Sequence, residues 1–595
     1  MYSFNIGVIS SSKKTNVNPV VNAGSGTSVT LPTTSWVLSG SAVTQLGTIT
    51  AYLWSKTSGP TGGNIITPNS AVTDISGLTV GTYVYKLTAT NNFGLTGASN
   101  VTVTVLQRTP IPLRYWYVSS SYTGTTQNGG INTPWTSLSQ VNTAGNNGTI
   151  QAGDAILFKC GDTFYCQDRS YGFRWWRGYG GLNCPTGTQT NPIIFGNYGY
   201  GPLPNFLFPY PSVTNYLTKK ILTFENTNYI IIDGLQFNDP RYPTVPKVDP
   251  SYSITAIMLG EDDPTLKCNN CTVKNCFINN IGNGVEYAGD YNDVSYNTMV
   301  NFGQVYAYTT GSYGANAITT TGNYCNIHHN YVSGAWAWAE SFGTNGGAVE
   351  PFNTNNYNSI MYNTFVDCAG ILEFGATSSG STAYENVCAY NLIINCGSLA
   401  YTSGSGAFKI DARNNRFYNN VVIENSESRY SGPNFGVGFE NFPTFTGSCN
   451  SAPPCTPTPA DNMFGAGGTY TASTVYDLKN NIFVCTNPPV LFQSQSAPYT
   501  GKTNYSMKVV RADTVTKTTH SYNIYKMISG SSVGYTLDIG EQTQTGPIFL
   551  NETGVDPQTW DFHTITKVSG TSVGISTDFA GSGVTNPPLI GIYNT

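Results

Sequence analysis

The sequence predicts an all-β protein in which a small β-sandwich precedes a long parallel β-helix with a C-terminal cap. Three observations predict it. The first is a recurring phrase of Asn, any residue and a large apolar residue. It reads Asn275-Cys276-Phe277, Asn297-Thr298-Met299, Asn330-Tyr331-Val332, Asn363-Thr364-Phe365, Asn391-Leu392-Ile393 and Asn419-Asn420-Val421, with Asn480-Asn481-Ile482 after an interruption. The first six lie 22, 33, 33, 28 and 28 residues apart, a period that means stacked repeats. Short β-favouring runs broken by Gly, Asn and Ser fill the intervals. Asn suits such a corner, because a stacked side-chain amide bonds its neighbours and the exposed backbone of the bend.

The second observation is an apolar-polar phrase that falls once per coil. It reads Gly284-Val285-Glu286-Tyr287, Ala317-Ile318-Thr319-Thr320, Ala348-Val349-Glu350-Pro351, Ile371-Leu372-Glu373-Phe374 and Phe408-Lys409-Ile410-Asp411. Alternate strand residues face opposite sides. Val285, Ile318, Val349, Leu372 and Phe408 are therefore expected to point inward, and Glu286, Thr319, Glu350, Glu373 and Lys409 outward. Parallel strands sit roughly 4.8 Å apart. Glu350 should stack beside Glu373, with Lys409 next in line.

The third observation is alternation within residues 18–107, at 28–31, 52–54, 83–89 and 100–105, with turn residues at short intervals. That texture is a β-sandwich, in which Trp54 reads as core. Residues 1–17 read as a linker or attachment peptide, and 108–113, with Pro110 and Pro112, as a stiff linker. The opening Met1-Tyr2-Ser3-Phe4-Asn5-Ile6-Gly7 lacks the pattern of a secretory signal. Either a signal has been removed, or the protein leaves the cell by another route, such as inside a virus particle.

Composition excludes several classes. Only 10% of the 595 residues are charged, while Gly (64) and Tyr (40) are abundant, which suits a polar, uncharged β surface. The net charge of −5 and the lack of a basic run argue against nucleic-acid binding. No apolar run approaches the roughly 18 residues of a membrane helix.

Two resemblances follow from particular phrases. Pro19-Val20-Val21-Asn22-Ala23-Gly24, Tyr52-Leu53-Trp54-Ser55-Lys56-Thr57-Ser58-Gly59-Pro60 and Gly81-Thr82-Tyr83 through Asn91-Asn92-Phe93-Gly94 resemble the polycystic-kidney-disease (PKD) type of immunoglobulin-like domain. That resemblance implies a spacer or adhesion module of extracellular proteins. Tyr115-Trp116-Tyr117-Val118, Thr133-Pro134-Trp135-Thr136-Ser137-Leu138 and Gln151-Ala152-Gly153-Asp154-Ala155-Ile156-Leu157-Phe158 resemble the start of pectate-lyase-like right-handed parallel β-helices. This second resemblance spans 114–504 and implies a capped first coil, since an open solenoid end exposes strand edges and core. It specifies the fold and leaves function open, because the fold hosts lyases, hydrolases, epimerases and phage tailspikes. Residues 505–595 are expected to form a β cap or an oligomerisation region.

Two aromatic sets stand out as sugar platforms. Arg174, Trp175 and Trp176 form one if exposed, or a lid packed on the cap if not; Trp336 and Trp338 form the other. His329 aligns with Tyr296, Tyr362, Tyr390 and Tyr418, so a stacked ladder explains the His328-His329 pair better than a metal site. Of 13 cysteines, those among the coils read as buried thiols. Cys160 with Cys166 and Cys449 with Cys455 are local disulfide options outside a cell.

The carboxylate column sets the chemistry. Two carboxylates about 4.8 Å apart repel by roughly 3–4 kcal/mol at an effective dielectric near 20. A raised pKa, Lys409, or a bridging cation such as Ca2+ would offset that. Glu350 with Glu373 matches a retaining glycosidase, and Glu286 with Glu350 leaves room for an inverting water. Lyases of this fold use a Lys or Arg base, which implies Lys409 or Arg413, with Asp411 as a helper. Three functions follow: a phage spike or receptor-binding protein, a secreted polysaccharide lyase or hydrolase, and a non-catalytic adhesin. The first implies a surface glycan as partner, a virion location, attachment through residues 1–17, and a homo-oligomer, trimeric if a tailspike.

Overall fold

The computed structural model describes most of residues 16–593; the longest internal stretches outside the description are 208–218, 241–253, 303–314, 403–410, 425–475 and 486–517. Residues 20–106 form the sandwich. One sheet orders Thr27–Thr30, Thr96–Leu106, Gly81–Asn91 and Ile49–Ser58; another orders Ser35–Ser39, Val72–Ser76 and Asn64–Ile65. Leu38, Trp54, Ile75, Tyr83, Tyr85, Leu87 and Val103 fill the space between. Trp54 is core, and its buried indole N–H finds the Ala71 carbonyl at 3.2 Å, as a desolvated donor must.

The second unit is a parallel β-helix. Each coil visits three sheets, here A, B and C, of nine, twelve and twelve strands. Sheet A runs from Tyr171–Tyr179 through Lys219–Glu225, Ile254–Leu259, Asn283–Ala288, Asn316–Thr321, Gly347–Pro351 and Leu372–Phe374 to Ala400–Thr402, with Leu182–Asn183 antiparallel at its edge. Helix Leu138–Asn146 closes the first coil. It starts at a capping box of Ser137 and Gln140, which satisfies the free N–H groups of its first turn. Gly145 lets it sit on Trp175, where a Cβ would come within 2.6 Å of the ring.

Side-chain direction follows the alternation in the sequence. Val285, Ile318, Val349 and Leu372 are in register and fully buried. At the B-to-C corner Asn297, Asn330, Asn363, Asn391, Asn420, Asn481 and Asn523 form a buried ladder. Each Oδ1 accepts the backbone N–H of the residue one coil before, as from Asn330 to Asn363 at 3.0 Å. The register differs from the expectation at three coils: Cys276 rather than Asn275 precedes Asn297, and the second Asn of Asn419-Asn420 and Asn480-Asn481 joins the ladder. The residue before the ladder is left-handed in every coil, from Asn275 (φ 54°) and Tyr296 (φ 56°) to Tyr522 (φ 56°). Asn tolerates that region, so Asn occupies both slots. His329 stacks between Tyr296 and Tyr362 and Tyr390 follows, but the next place belongs to Asn419, not Tyr418.

A second ladder at the A-to-B corner was not anticipated. Asn292, Cys325, Asn358, Asn386 and Asn415 repeat the arrangement. Before them Tyr291, Tyr324 and Tyr357 stack in the open at 5.2 and 5.0 Å.

The eleven described cysteines are free and buried, so Cys160 and Cys166 do not pair; Cys449 and Cys455 lie outside the described residues. The C-terminal region contributes further coils through Gln542–Gln544. It then folds back, and Ile548, Phe549, Phe562, Ile590 and Ile592 cover the outer face of sheet C. No described helix is long and apolar enough to cross a membrane.

Candidate functional site: a carboxylate lane on sheet A

On the outer face of sheet A one lane of residues runs along the helix axis. Strand register aligns Arg174, Thr223, Met258, Glu286, Thr319 and Glu350. Glu373 follows, one residue beyond the paired Val349 and Leu372, and Tyr401 lies in register with Glu373. Thr223 and Met258 are buried, whereas Glu286, Thr319, Glu350 and Glu373 are partly exposed. The lane therefore opens at Glu286.

Polar side chains from the strand starts reach into this opening. Thr255 Oγ1 donates to Glu286 Oε1 at 2.6 Å, and Lys220 Nζ lies 3.2 Å from Glu286 Oε2. Lys220 also reaches Glu261 at 3.9 Å. Asn316 Nδ2 and, at 3.4 Å, Thr319 Oγ1 donate to Glu350 Oε2. The two carboxylates thus differ. Glu286 has a cation and a hydroxyl that favour its charged form. Burial first, then the charges of Glu373 and Glu286, push the Glu350 carboxyl well above its usual range, against the bonds from Thr319 and Asn316. Glu350 is the proton-bearing member.

The column of Glu286, Thr319, Glu350 and Glu373 stands as the sequence predicts. Other expectations need correction. The place after Glu373 belongs to Tyr401, because the coil closes 28 residues on; Phe408 and Lys409 lie outside the described residues. Asp411 and Arg413 belong to a two-stranded corner sheet with Thr382–Tyr384, not to sheet A. There Arg413 bonds Asp411 and stacks on the Tyr384 ring at 4.6 Å, while Tyr384 Oη donates to Asp411 at 2.7 Å. Trp175 and Trp176 are buried and form no platform. Trp175 packs against Phe173 and Phe195, and Arg174 lies over Trp176 at 4.5 Å. Trp336 and the side chain of Trp338 lie outside the described residues.

Lys220, Thr255 and Asn316 escape a reading by alternation, because they sit at strand starts and act on a neighbouring coil. Glu225 escapes it too. Burial and then Glu261 raise its carboxyl to about 7, against Lys220 and Arg174. The described residues contain no group of three His, Cys, Asp or Glu placed to hold a metal ion. At the lane Lys220 offsets the charge of Glu286 and a proton that of Glu350, in the place expected for Ca2+.

Residues 23–105 match a family of PKD domains described as being of the KIAA0319-like type. Over 90 residues the chain is 39% identical to the mouse (Mus musculus) dyslexia-associated protein KIAA0319-like protein, covering 15% of this chain and 9% of that protein. The chain thus spans about a tenth of the curated relatives it matches. The solution structure of the PKD domain from KIAA 1837 protein is 38% identical and covers 15% of this chain and 87% of that one, with a TM-score of 0.14. The crystal structure of the GH136 lacto-N-biosidase from Eubacterium ramulus is 13% identical, covers 70% of this chain and 68% of that one, and has a TM-score of 0.38.

Proposed function

We propose, for a chain whose residues 23–105 belong to the PKD domain family and whose body is a parallel β-helix, that it is an extracellular glycan-binding protein that hydrolyses its glycan on the carboxylate lane. One observation carries this reading: Glu350 keeps its proton between two other carboxylates on a partly exposed face. Glu350 is then the general acid that protonates the leaving oxygen. Glu286, paired with Lys220 and Thr255, is the base that takes a proton from water. Thr319 separates them by two strand steps, roughly 9–10 Å by strand spacing. That is close to the wide carboxylate separation, about 6.5–9.5 Å, which admits a water and inverts the anomeric centre. Glu373 raises the pKa of the acid. A lyase would need a cation facing the substrate, and Lys220 is committed to Glu286 and Glu261.

A panel of bacterial, plant and algal polysaccharides tests the reading. New reducing ends without ultraviolet absorbance, lost in Glu350→Gln and Glu286→Gln, are expected. Absorbance of unsaturated sugars would make it a lyase. Binding without cleavage would make it an adhesin.

The finer form of the proposal is a phage receptor-binding spike facing a bacterial surface glycan, as a homo-oligomer attached through residues 1–17. An uncharged, Tyr-rich β surface supports it, as it does a secreted enzyme. Co-sedimentation with virus particles and the assembled mass in solution separate the two.

A further inference from the structure

A second polar cluster lies on the outer face of sheet B, outside the lane. Ser295 Oγ donates to Asp293 Oδ1 at 2.5 Å, and Asp293 Oδ2 lies 2.9 Å from His328 Nε2. In the neutral ring this carboxylate fixes the tautomer: Nε2 carries the proton and Nδ1 presents a lone pair. His329, left-handed at φ 55°, brings its own Nδ1 to 2.8 Å from that lone pair. Its ring is held between Tyr296 at 4.8 Å and Tyr362 at 5.1 Å. The His328 side chain is 28% exposed, so the two nitrogens meet where solvent ions can arrive.

We propose that His328 and His329 form a two-nitrogen site for a divalent transition-metal ion of the Cu2+ type, with solvent in the remaining positions. Two features carry this beyond ring stacking. A carboxylate behind the far nitrogen of an imidazole is the usual support of a metal-binding histidine, and Asp293, itself anchored by Ser295, supplies it. The spacing also fits. Adjacent ligands on a tetragonal ion, with bonds of about 2.0 Å, lie about 2.8 Å apart, against about 3.3 Å on a tetrahedral one. On binding, a metal–nitrogen bond forms at each Nδ1. The proton shared between them passes through solvent to His329 Nε2, so neutral rings release no net proton.

The chain holds four histidines. The other two, His520 and His563, pair separately with Glu541 and Asp561, so ligation by two imidazoles reports this site. The test is titration of the full chain with Cu2+, followed by electron paramagnetic resonance and calorimetry. One ion per chain with two-nitrogen splitting is expected. His328→Ala and His329→Tyr should each abolish the splitting. The tyrosine keeps the residue type found at the neighbouring corners, so that variant folds. His563→Ala should leave the splitting intact, and Asp293→Asn should weaken binding at least about tenfold. Absence of the splitting in the parent chain, or its persistence in His329→Tyr, would overturn the proposal.

Discussion

Glu350 and Glu373 stand on neighbouring strands of sheet A, one residue beyond the paired Val349 and Leu372, and the charge of Glu373 is, after burial, the main cause of Glu350 keeping its proton. A general acid works only while protonated, so the rate must fall as pH rises through the raised pKa of Glu350. Glu373→Gln removes one cause of that shift. Its pH–rate profile should keep its shape, with the alkaline limb moved to lower pH. Glu350→Gln should lower the rate by roughly 10²–10⁴. An alkaline limb that stays put in Glu373→Gln would separate the two carboxylates functionally.

Glu225 makes stability depend on pH in a stated direction. Its folded pKa, about 7, lies above the ordinary 4.5. Below about 4.5 the contribution is fully present; it is lost as pH rises to about 7, where a buried carboxyl must ionise. The shift sets an upper figure of about 3 kcal/mol. Glu350 acts in the same sense, so Glu225→Gln should remove part of the fall in melting temperature between pH 5 and pH 8 and leave the rest. Melting curves at the two values decide it, and an unchanged fall would assign the whole effect to other groups.

The coils were legible because a solenoid repeats its corners, and the column because alternation fixes which side chains share a face. What was misread has physical causes. Asn275 and Asn419 occupy a left-handed slot that accepts Asn as readily as the ladder slot beside it, so the repeat slips by one residue. Lys409 was placed by the likeness of one phrase, whereas coil length puts Tyr401 beside Glu373. The burial of Trp175 depends on the helix laid over it, which strand alternation does not encode. Lys220 reaches Glu286 from two strands away, and no local pattern records such a reach. The covered face of sheet C was readable: Val421-Val422-Ile423 and Ile482-Phe483-Val484 are apolar without alternation, the mark of a strand buried on both faces.

Asn363 should be among the costliest positions in the coils to truncate. It is fully buried; Nδ2 donates to the Ile327 carbonyl at 2.9 Å and to Asn391 Oδ1 at 3.1 Å, and Oδ1 accepts from the N–H of Asn330 at 3.0 Å. Asn363→Ala leaves each of those groups dry and unpaired, at roughly 1–3 kcal/mol apiece. Coils need not unfold together, so the sharper readout is hydrogen exchange. The Asn330 amide should lose protection first, while the sandwich amides at Tyr83 and Tyr85 keep theirs. Equal protection in both proteins would mean that water replaces the amide.

The tail should be what keeps the last coils soluble. Val366, Leu392, Ile394, Val421, Ile423, Ile482, Val484 and Ile524 form an apolar stripe on the outer face of sheet C, and Ile548, Phe549, Phe562, Ile590 and Ile592 pack over it. Polar contacts hold the tail in place: Tyr362 Oη meets Thr577 Oγ1 at 2.7 Å, Asn419 Nδ2 donates to the Leu589 carbonyl at 2.8 Å, and Asn480 Nδ2 to the Thr571 carbonyl at 2.8 Å. Truncation after Gln544 removes the cover and exposes a continuous apolar patch, which in water drives association. Binding of a hydrophobic dye and concentration-dependent growth in mass are expected, with Ile590→Asp as a milder version in the full chain. A truncated chain that keeps the parent's mass at every concentration and binds no dye would show that the stripe is tolerated in water, and would leave the two-sided apolarity of these coils without its cause.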